Sequence, residues 1–377
     1  MYRKDWIESW TEFKTQLPHQ QFPYSKKNWG NQNHSLCSYQ GKLKPAIAHH
    51  LVMTFTPNGG KIFDPFSGVG TIPFEAALNG RTAFGMDISV MAYIISQAKI
   101  GYSSVVLSEN YMRLMQLYIE SHQPSEAKIK LYANFGLNRT LSEYYHPQTF
   151  YEILSAREFI LTHKPTNASE MVVVSALMHI LHGNRPYALS RKSHPITPYA
   201  PTGEFIYKNL IEKLRVKVDK FYQEERLSSF KEGKIFLQDS TAQWPDEINA
   251  LDAIITSPPF FDSTRFYNAN WIRLWFSGWE PSDFKTMPSQ YVDERQKIDF
   301  NVYEPIFEQA RERLKRNGVM VLHLGKSSKC NMGETLARLA TKWFKHTELF
   351  DESVEHCDSF GVASVGSVTD HQYLVLY

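Results

Sequence analysis

Two stretches of the chain place reactive residue types where a fold can use them. Residues 252–262, DAIITSPPFFD, form an apolar run that stops at Ser257-Pro258-Pro259-Phe260. Two consecutive prolines can neither extend a strand nor supply backbone donors, so this polar and aromatic tetrad must be displayed at a strand's carboxyl end. Open α/β sheets carry their chemistry there. Residues 62–89, IFDPFSGVGTIPFEAALNGRTAFGMDIS, read as a buried strand, a Gly-containing turn, a helix and a second strand ending in Asp87. That is the βαβ layout of a nucleotide site. Gly68 and Gly70 would let the backbone approach a ligand, and Asp87 is placed to accept bonds from ribose hydroxyls. A hydride-transferring Rossmann enzyme shares this layout, so the sheet alone does not name the cofactor.

The elements that must position these residues alternate. Strands are expected at about 61–65, 82–87, 234–240, 252–257, 318–325 and 348–354 and in the final HQYLVLY, with helices at 45–54, 71–79, 307–318 and 334–344 and another following Asp87. Asn79-Gly80 closes the second of these helices and Pro57-Asn58-Gly59-Gly60 marks a turn. The alternation breaks over residues 103–230, which are long and largely helical. A βα connection is normally a few residues, so this stretch reads as an inserted subdomain. Three parts follow: 1–102, an arm and the first half of the cofactor-binding domain; 103–230, the insertion; and 231–377, the second half with the tetrad. Periodicity by itself gives an α/β sheet and no more.

At 377 residues, 42% hydrophobic and 21% charged, the chain has the composition of an ordinary soluble protein able to bury a full core. No run approaches the ~18 apolar residues that span a bilayer, and the start MYRKDWIESW lacks a signal peptide's apolar core, so a cytoplasmic protein without membrane partners is expected. Cys37, Cys330 and Cys357 are scattered, with no CxxC pair, and His146, His182 and His194 lack the spacing of a familiar metal site. Neither a disulfide framework nor a metal is indicated. The net charge of +2 is small, but cations gather locally at Lys14, Lys26, Lys27, Lys42 and Lys44, and again at Arg191, Lys192, Lys208, Lys213, Arg215, Lys217 and Lys220. A nucleic-acid binder needs only such local faces, although surface lysines are often merely solvated.

Asp64-Pro65-Phe66-Ser67-Gly68-Val69-Gly70-Thr71 resembles the cofactor motif of amino-group DNA methyltransferases, and Thr256-Ser257-Pro258-Pro259-Phe260 resembles their catalytic motif. Upstream, Ser38-Tyr39-Gln40-Gly41-Lys42-Leu43-Lys44-Pro45 is similar to the segment these enzymes fold over the methionyl group of S-adenosylmethionine. The resemblance covers roughly residues 30–100 and 234–377. It implies a Rossmann-like seven-stranded α/β sheet with the last strand antiparallel, and S-adenosylmethionine held by Tyr39, Gly41, Lys42, Asp64, Pro65, Phe66, Gly68, Gly70, Thr71, Asp87, Ile88 and Asp239. Asp239 follows the third expected strand, where the family binds the adenine amine. The order of motifs resembles the family's alpha type, although here the insertion precedes the third strand.

The resemblance further implies a double-stranded DNA substrate whose target base is flipped out of the helix. Ser257 and the Pro258 carbonyl would accept hydrogen bonds from its exocyclic amine, Pro258 and Pro259 would stiffen the loop, and Phe260, where Tyr is commoner, would stack on the base. A serine before Pro-Pro resembles the cytosine-N4 enzymes; adenine-N6 methylation, an RNA amine methyltransferase and an idle DNA-binding subunit are the alternatives. Arg185, Arg191 and Lys192 in the insertion offer phosphate or base contacts. A cognate restriction endonuclease or a defence-system partner is compatible with such an enzyme. The run from Arg265 to Trp275 can line the base pocket or pack on the sheet, and packing is expected for Trp271 and Trp275.

Overall fold

The computed structural model describes residues 5–26, 28–37, 41–192, 200–261, 266–354 and 368–377. Seven strands form one sheet: β1 Lys61–Asp64, β2 Thr82–Asp87, β3 Lys234–Leu237, β4 Leu251–Thr256, β5 Leu314–Ser327, β6 Thr347–Ser353 and β7 Val368–Leu376. Their spatial order is β3-β2-β1-β4-β5-β7-β6, with β7 antiparallel to both neighbours and the remaining pairs parallel. This is the Rossmann-like seven-stranded sheet of the methyltransferase fold. β1 and β4 are buried almost throughout because helices cover both of their faces.

The arm helix α1, Asp5–Gln16, lies with α2, Pro45–Phe55, on one face of the sheet. Trp10 and Phe13 are buried there, and the Trp10 indole donates to Glu348 Oε1 at 3.0 Å. Every residue of α3, Thr71–Leu78, is buried. It is enclosed between the sheet, α2 and α4, Val90–Ile100.

Among the described residues the stretch after α4 holds six helices: α5 Val105–Ser121, α6 Glu126–Ala133, α7 Leu141–Tyr144, α8 Pro147–Thr162, α9 Ala168–Ile180 and α10 Leu210–Tyr222. α9 is apolar around most of its circumference and lies centrally, against α4, α5 and α10. The expected subdomain has no core of its own, however. Met91 and Ile94 of α4, Val172 and Leu177 of α9, and Trp271 and Trp275 of the short helix Trp271–Phe276 all belong to one buried cluster. The sheet's helical layer and the insertion therefore share a core, and both tryptophans pack as expected.

Several expected boundaries shift: the strand expected at 234–240 ends at Leu237, and the helix expected at 334–344 ends at Ala340. The helix assigned to 307–318 runs over Glu304–Arg313, and β5 begins at Leu314. Leu314 pairs with Leu251, after which the register jumps so that Val319 faces Ala253. The exposed Lys315, Arg316 and Asn317 fill the resulting bulge, and their charge continues the helix-like pattern of RER without the helix itself. No helix among the described residues is long and apolar enough to cross a membrane.

Candidate active site

The strand order reverses between β1 and β4, and the crevice beyond their carboxyl ends is where a doubly wound sheet binds its ligands. Both motifs open into it. A cavity of about 300 Å³ is bordered by Gly41, Pro65, Phe66, Gly68, Asp87, Ile88, Asp239 and the tetrad Ser257, Pro258, Pro259 and Phe260. A smaller one of about 50 Å³ shares Gly41, Phe66, Gly68 and Ser257 with it and adds Lys42, Asp64 and Thr71. The structure thus brings together all but two of the expected cofactor residues. Tyr39 lies outside the described residues. Gly70 borders neither cavity: it enters α3 at φ 72°, and a Cβ there would meet Ser96 Oγ at 2.8 Å, so its glycine lets the turn pack on α4. The Ser96 hydroxyl also donates to Gly68 O at 2.6 Å.

Asp87 organises the turn. Its Oδ2 accepts from Gly68 N at 2.9 Å and its Oδ1 from Ser89 N at 2.8 Å. Burial pushes its carboxyl up to about 6 against the pull of these two donors. Asp64 is buried beneath the turn, where its Oδ1 accepts from Phe66 N at 3.0 Å and Thr256 Oγ1 at 2.6 Å. One carboxyl therefore ties the end of β1, which carries the cofactor turn, to the end of β4, which carries the tetrad. Burial raises Asp64 to about 7 despite those bonds. At the far wall Asp239 accepts from Thr241 N at 2.9 Å and from the Arg295 guanidinium at 3.1 Å. Tyr291 closes the cavity beside Asp87, its phenol pushed up by burial and by that carboxylate.

The tetrad is held from behind. Ser257 Oγ lies 3.1 Å from Nδ1 of His323 on β5. Burial, then the neighbouring His371, drive the His323 imidazole well below its usual range, so the ring is neutral. In the tautomer whose Nδ1 accepts the serine proton, the oxygen's lone pairs are left for a ligand's N–H. The Pro259 carbonyl accepts from Gln296 Nε2 at 3.0 Å, and Tyr303 donates to Gln296 Oε1 at 2.9 Å. Among the described residues no hydrogen-bond donor reaches the Pro258 carbonyl. The Phe260 ring lies on Gly325 of β5: a Cβ there would sit 2.6 Å from Phe260 Cδ2.

His323, Gly325, Tyr291 and Gln296 were missed in the sequence. A histidine inside the apolar run VMVLHLG was the one available signal; the others have no local signature.

Of the three insertion residues expected at DNA, Arg185 is exposed in a loop and lines a separate large groove. Lys192 is exposed beside its bridge to Thr202. Arg191 is spent internally. Its Nε and Nη2 donate to Gly203 O and its Nη1 to Glu143 O, and the guanidinium lies 4.2 Å from the Phe205 ring.

Residues 33–136 match the model of a family described as UPF0020, RMKL-like methyltransferase domain. No curated protein sequence matches the chain. Similar solved structures include a TehB-like SAM-dependent methyltransferase from Corynebacterium glutamicum, with TM-score 0.33 and 10% identity over 87% of this chain and 85% of that one. Another is an rRNA methylase from Streptococcus thermophilus, with TM-score 0.34 and 6% identity over 89% and 96% of the two chains. Likeness this distant leaves the argument with the topology and the site. Those residues fit S-adenosylmethionine: a carboxylate ends β2, a second follows β3, and a small cavity holding Lys42 and Asp64 adjoins the larger one. Strand order, turn and the match over 33–136 define the class as an S-adenosylmethionine-dependent methyltransferase.

Proposed function

We propose that the chain methylates the exocyclic amine of a flipped base in double-stranded DNA, at cytosine N4. The observation that carries this reading is Ser257-Pro258-Pro259-Phe260 at the wall of the cofactor cavity, with Ser257 bonded to a neutral His323. S-adenosylmethionine supplies a methyl group on a sulfonium when bound. The protein's task is to make an aromatic amine nucleophilic, because its lone pair is delocalised into the ring. Ser257 Oγ and the Pro258 carbonyl accept the two N–H bonds and draw the nitrogen toward a tetrahedral arrangement, its lone pair aimed into the cavity. Phe260, fixed on Gly325, offers the base a face.

No strong base is needed, since the proton leaves after the nitrogen has become cationic. The serine ahead of Pro-Pro, through its resemblance to the N4 enzymes, supports cytosine over adenine.

Incubation with S-adenosylmethionine and duplex DNA, digestion to nucleosides and mass spectrometry test the reading. N4-methylcytosine is expected. N6-methyladenine would overturn the base and leave the amine chemistry standing, and a methylated ring carbon would overturn both.

A further inference from the structure

Apart from the active-site cavity, a groove of about 850 Å³ lies between the arm and the insertion. Its walls carry Lys26, Lys42, Lys44, Arg185, Lys217 and Lys220, and among the described residues no Asp or Glu lines it. Sequence separates these cations into two clusters, one before β1 and one around α10, and the fold joins them. The Lys42 ammonium donates to His34 O at 3.1 Å and the Lys217 ammonium to Ser35 O at 2.8 Å, so neutral carbonyls hold them in place, while burial lowers both from the usual lysine range, Lys217 to about 8. A small anion needs two or three such groups. Six along one groove match a polyanion.

Aromatic rings stand among the cations. Trp29 is half-buried and packs edge-on against His49, with centroids 5.2 Å apart, and Tyr24 does the same against His50 at 4.4 Å. Tyr187 lies beneath the Lys220 ammonium at 4.6 Å. Tyr24 and Trp29 also lie 4.9 Å apart, and Tyr24 stacks on His49 at 6.0 Å, so the rings form one small aromatic cluster; cations interleaved with aromatic rings are how proteins hold an unpaired strand. A duplex would bring phosphates to the lysines but no base faces to the rings. Lys42 borders both the groove and the small cavity that shares Ser257 with the active site.

We infer that this groove binds an unpaired nucleic-acid strand, its phosphodiesters on the lysines and its bases on Trp29 and Tyr24, beside the methylation site. The inference rests on the nucleic-acid part of the proposed function and not on the identity of the base.

Fluorescence anisotropy across a salt series tests it, with labelled single-stranded DNA, single-stranded RNA of the same sequence and the matching DNA duplex. In the combined variant Lys26→Gln, Arg185→Gln, Lys220→Gln, all exposed positions, single-strand affinity should fall and the log–log salt slope should flatten by about 2, at roughly 0.7 per phosphate contact. Trp29→Ala should weaken single-strand binding several-fold with the slope unchanged and leave duplex binding alone. Lys130→Gln, Lys164→Gln, Lys345→Gln, exposed and outside the groove, should alter neither. The ratio of DNA to RNA affinity then names the source of the strand. An unchanged slope in the groove variant, or an equal loss in the control, overturns the inference. So does a wild-type chain that binds no single strand at low salt. Equal losses for duplex and single strand with no effect of Trp29→Ala overturn the unpaired strand. A groove variant that behaves as expected while the product proves to be N6-methyladenine leaves the groove standing and removes only the base assignment.

Discussion

The active-site cavity and the basic groove are built on opposite principles. Around the cavity, polar side chains are already bonded to the backbone beyond the strand ends: Asp87 to Gly68 and Ser89, Asp64 to Phe66, Gln296 to Pro259. The groove's walls come from residues 19–46 and 185–221, joined by a few long-range polar contacts. Asn33 Nδ2 donates to Phe221 O at 3.2 Å, Lys217 reaches Ser35, and His34 is clamped at 2.6 Å to the buried Glu75 of α3. Chemistry that must fix one nitrogen to a fraction of an ångström sits on the rigid sheet. A polyanion needs only charge at roughly even spacing, so elements outside the sheet suffice.

Four measurements break or sharpen that contrast. The largest effect belongs to the tetrad. Ser257→Ala should slow methyl transfer by ~10²-fold or more, the usual loss for one positioned electrostatic contact, while calorimetry finds cofactor affinity unchanged. Phe260→Ala should act in the same direction. If either weakened the cofactor as much as the rate, target and cofactor subsites would not be separable.

Asp87→Ala comes next, weakening S-adenosylmethionine binding by about 1–3 kcal/mol through unpaired ribose hydroxyls. Preference for NAD in the same calorimetry would sink the cofactor assignment. Because Asp87 sits at about 6 rather than in the ordinary carboxylate range, cofactor affinity should also fall as the pH drops through 6. Asp87→Asn should bind weakly and without that titration.

A smaller effect concerns stability. Asp64, raised from 3.8 to about 7, binds a proton in the folded state between those values that the unfolded chain has released. Folding is therefore penalised as the pH rises through that window. Asp64→Asn removes the penalty, so its melting temperature should exceed that of wild type above pH 7 and converge on it near pH 4. A constant difference would mean that the carboxyl stays ionised throughout.

Smallest is Arg191→Ala, which leaves two carbonyls short of a donor and should cost about 1 kcal/mol of stability. Its salt slope for nucleic-acid binding should match wild type, unlike that of the groove variant. A flattened slope would return Arg191 to the binding face.

The cofactor turn and the tetrad were legible because their constraints are local. Gly68 takes φ 51° and Gly70 φ 72°, which a side chain would resist, and Pro258-Pro259 ends a strand wherever it stands. The acidic end of β2 and the seven-strand count followed from the same alternation. Sequence reading stopped where a partner lies far along the chain. Lys315–Asn317 carried a helix-like pattern that only the pairing of β5 with β4 revealed as a bulge, and Arg191 resembled a phosphate contact until Gly203 and Glu143 were seen to occupy it.

What the sequence by itself determined, then, is the set of torsions and apolar runs that build the sheet and expose Ser257 at its edge, since those are properties of single residues and near neighbours. Tertiary structure alone decided that the register pairing Thr256 with Leu322 sets His323 behind that serine and Gly325 beneath Phe260. It likewise decided that two separated lysine clusters face one groove. Register and docking are fixed by burial summed over whole faces, and no single residue carries that sum.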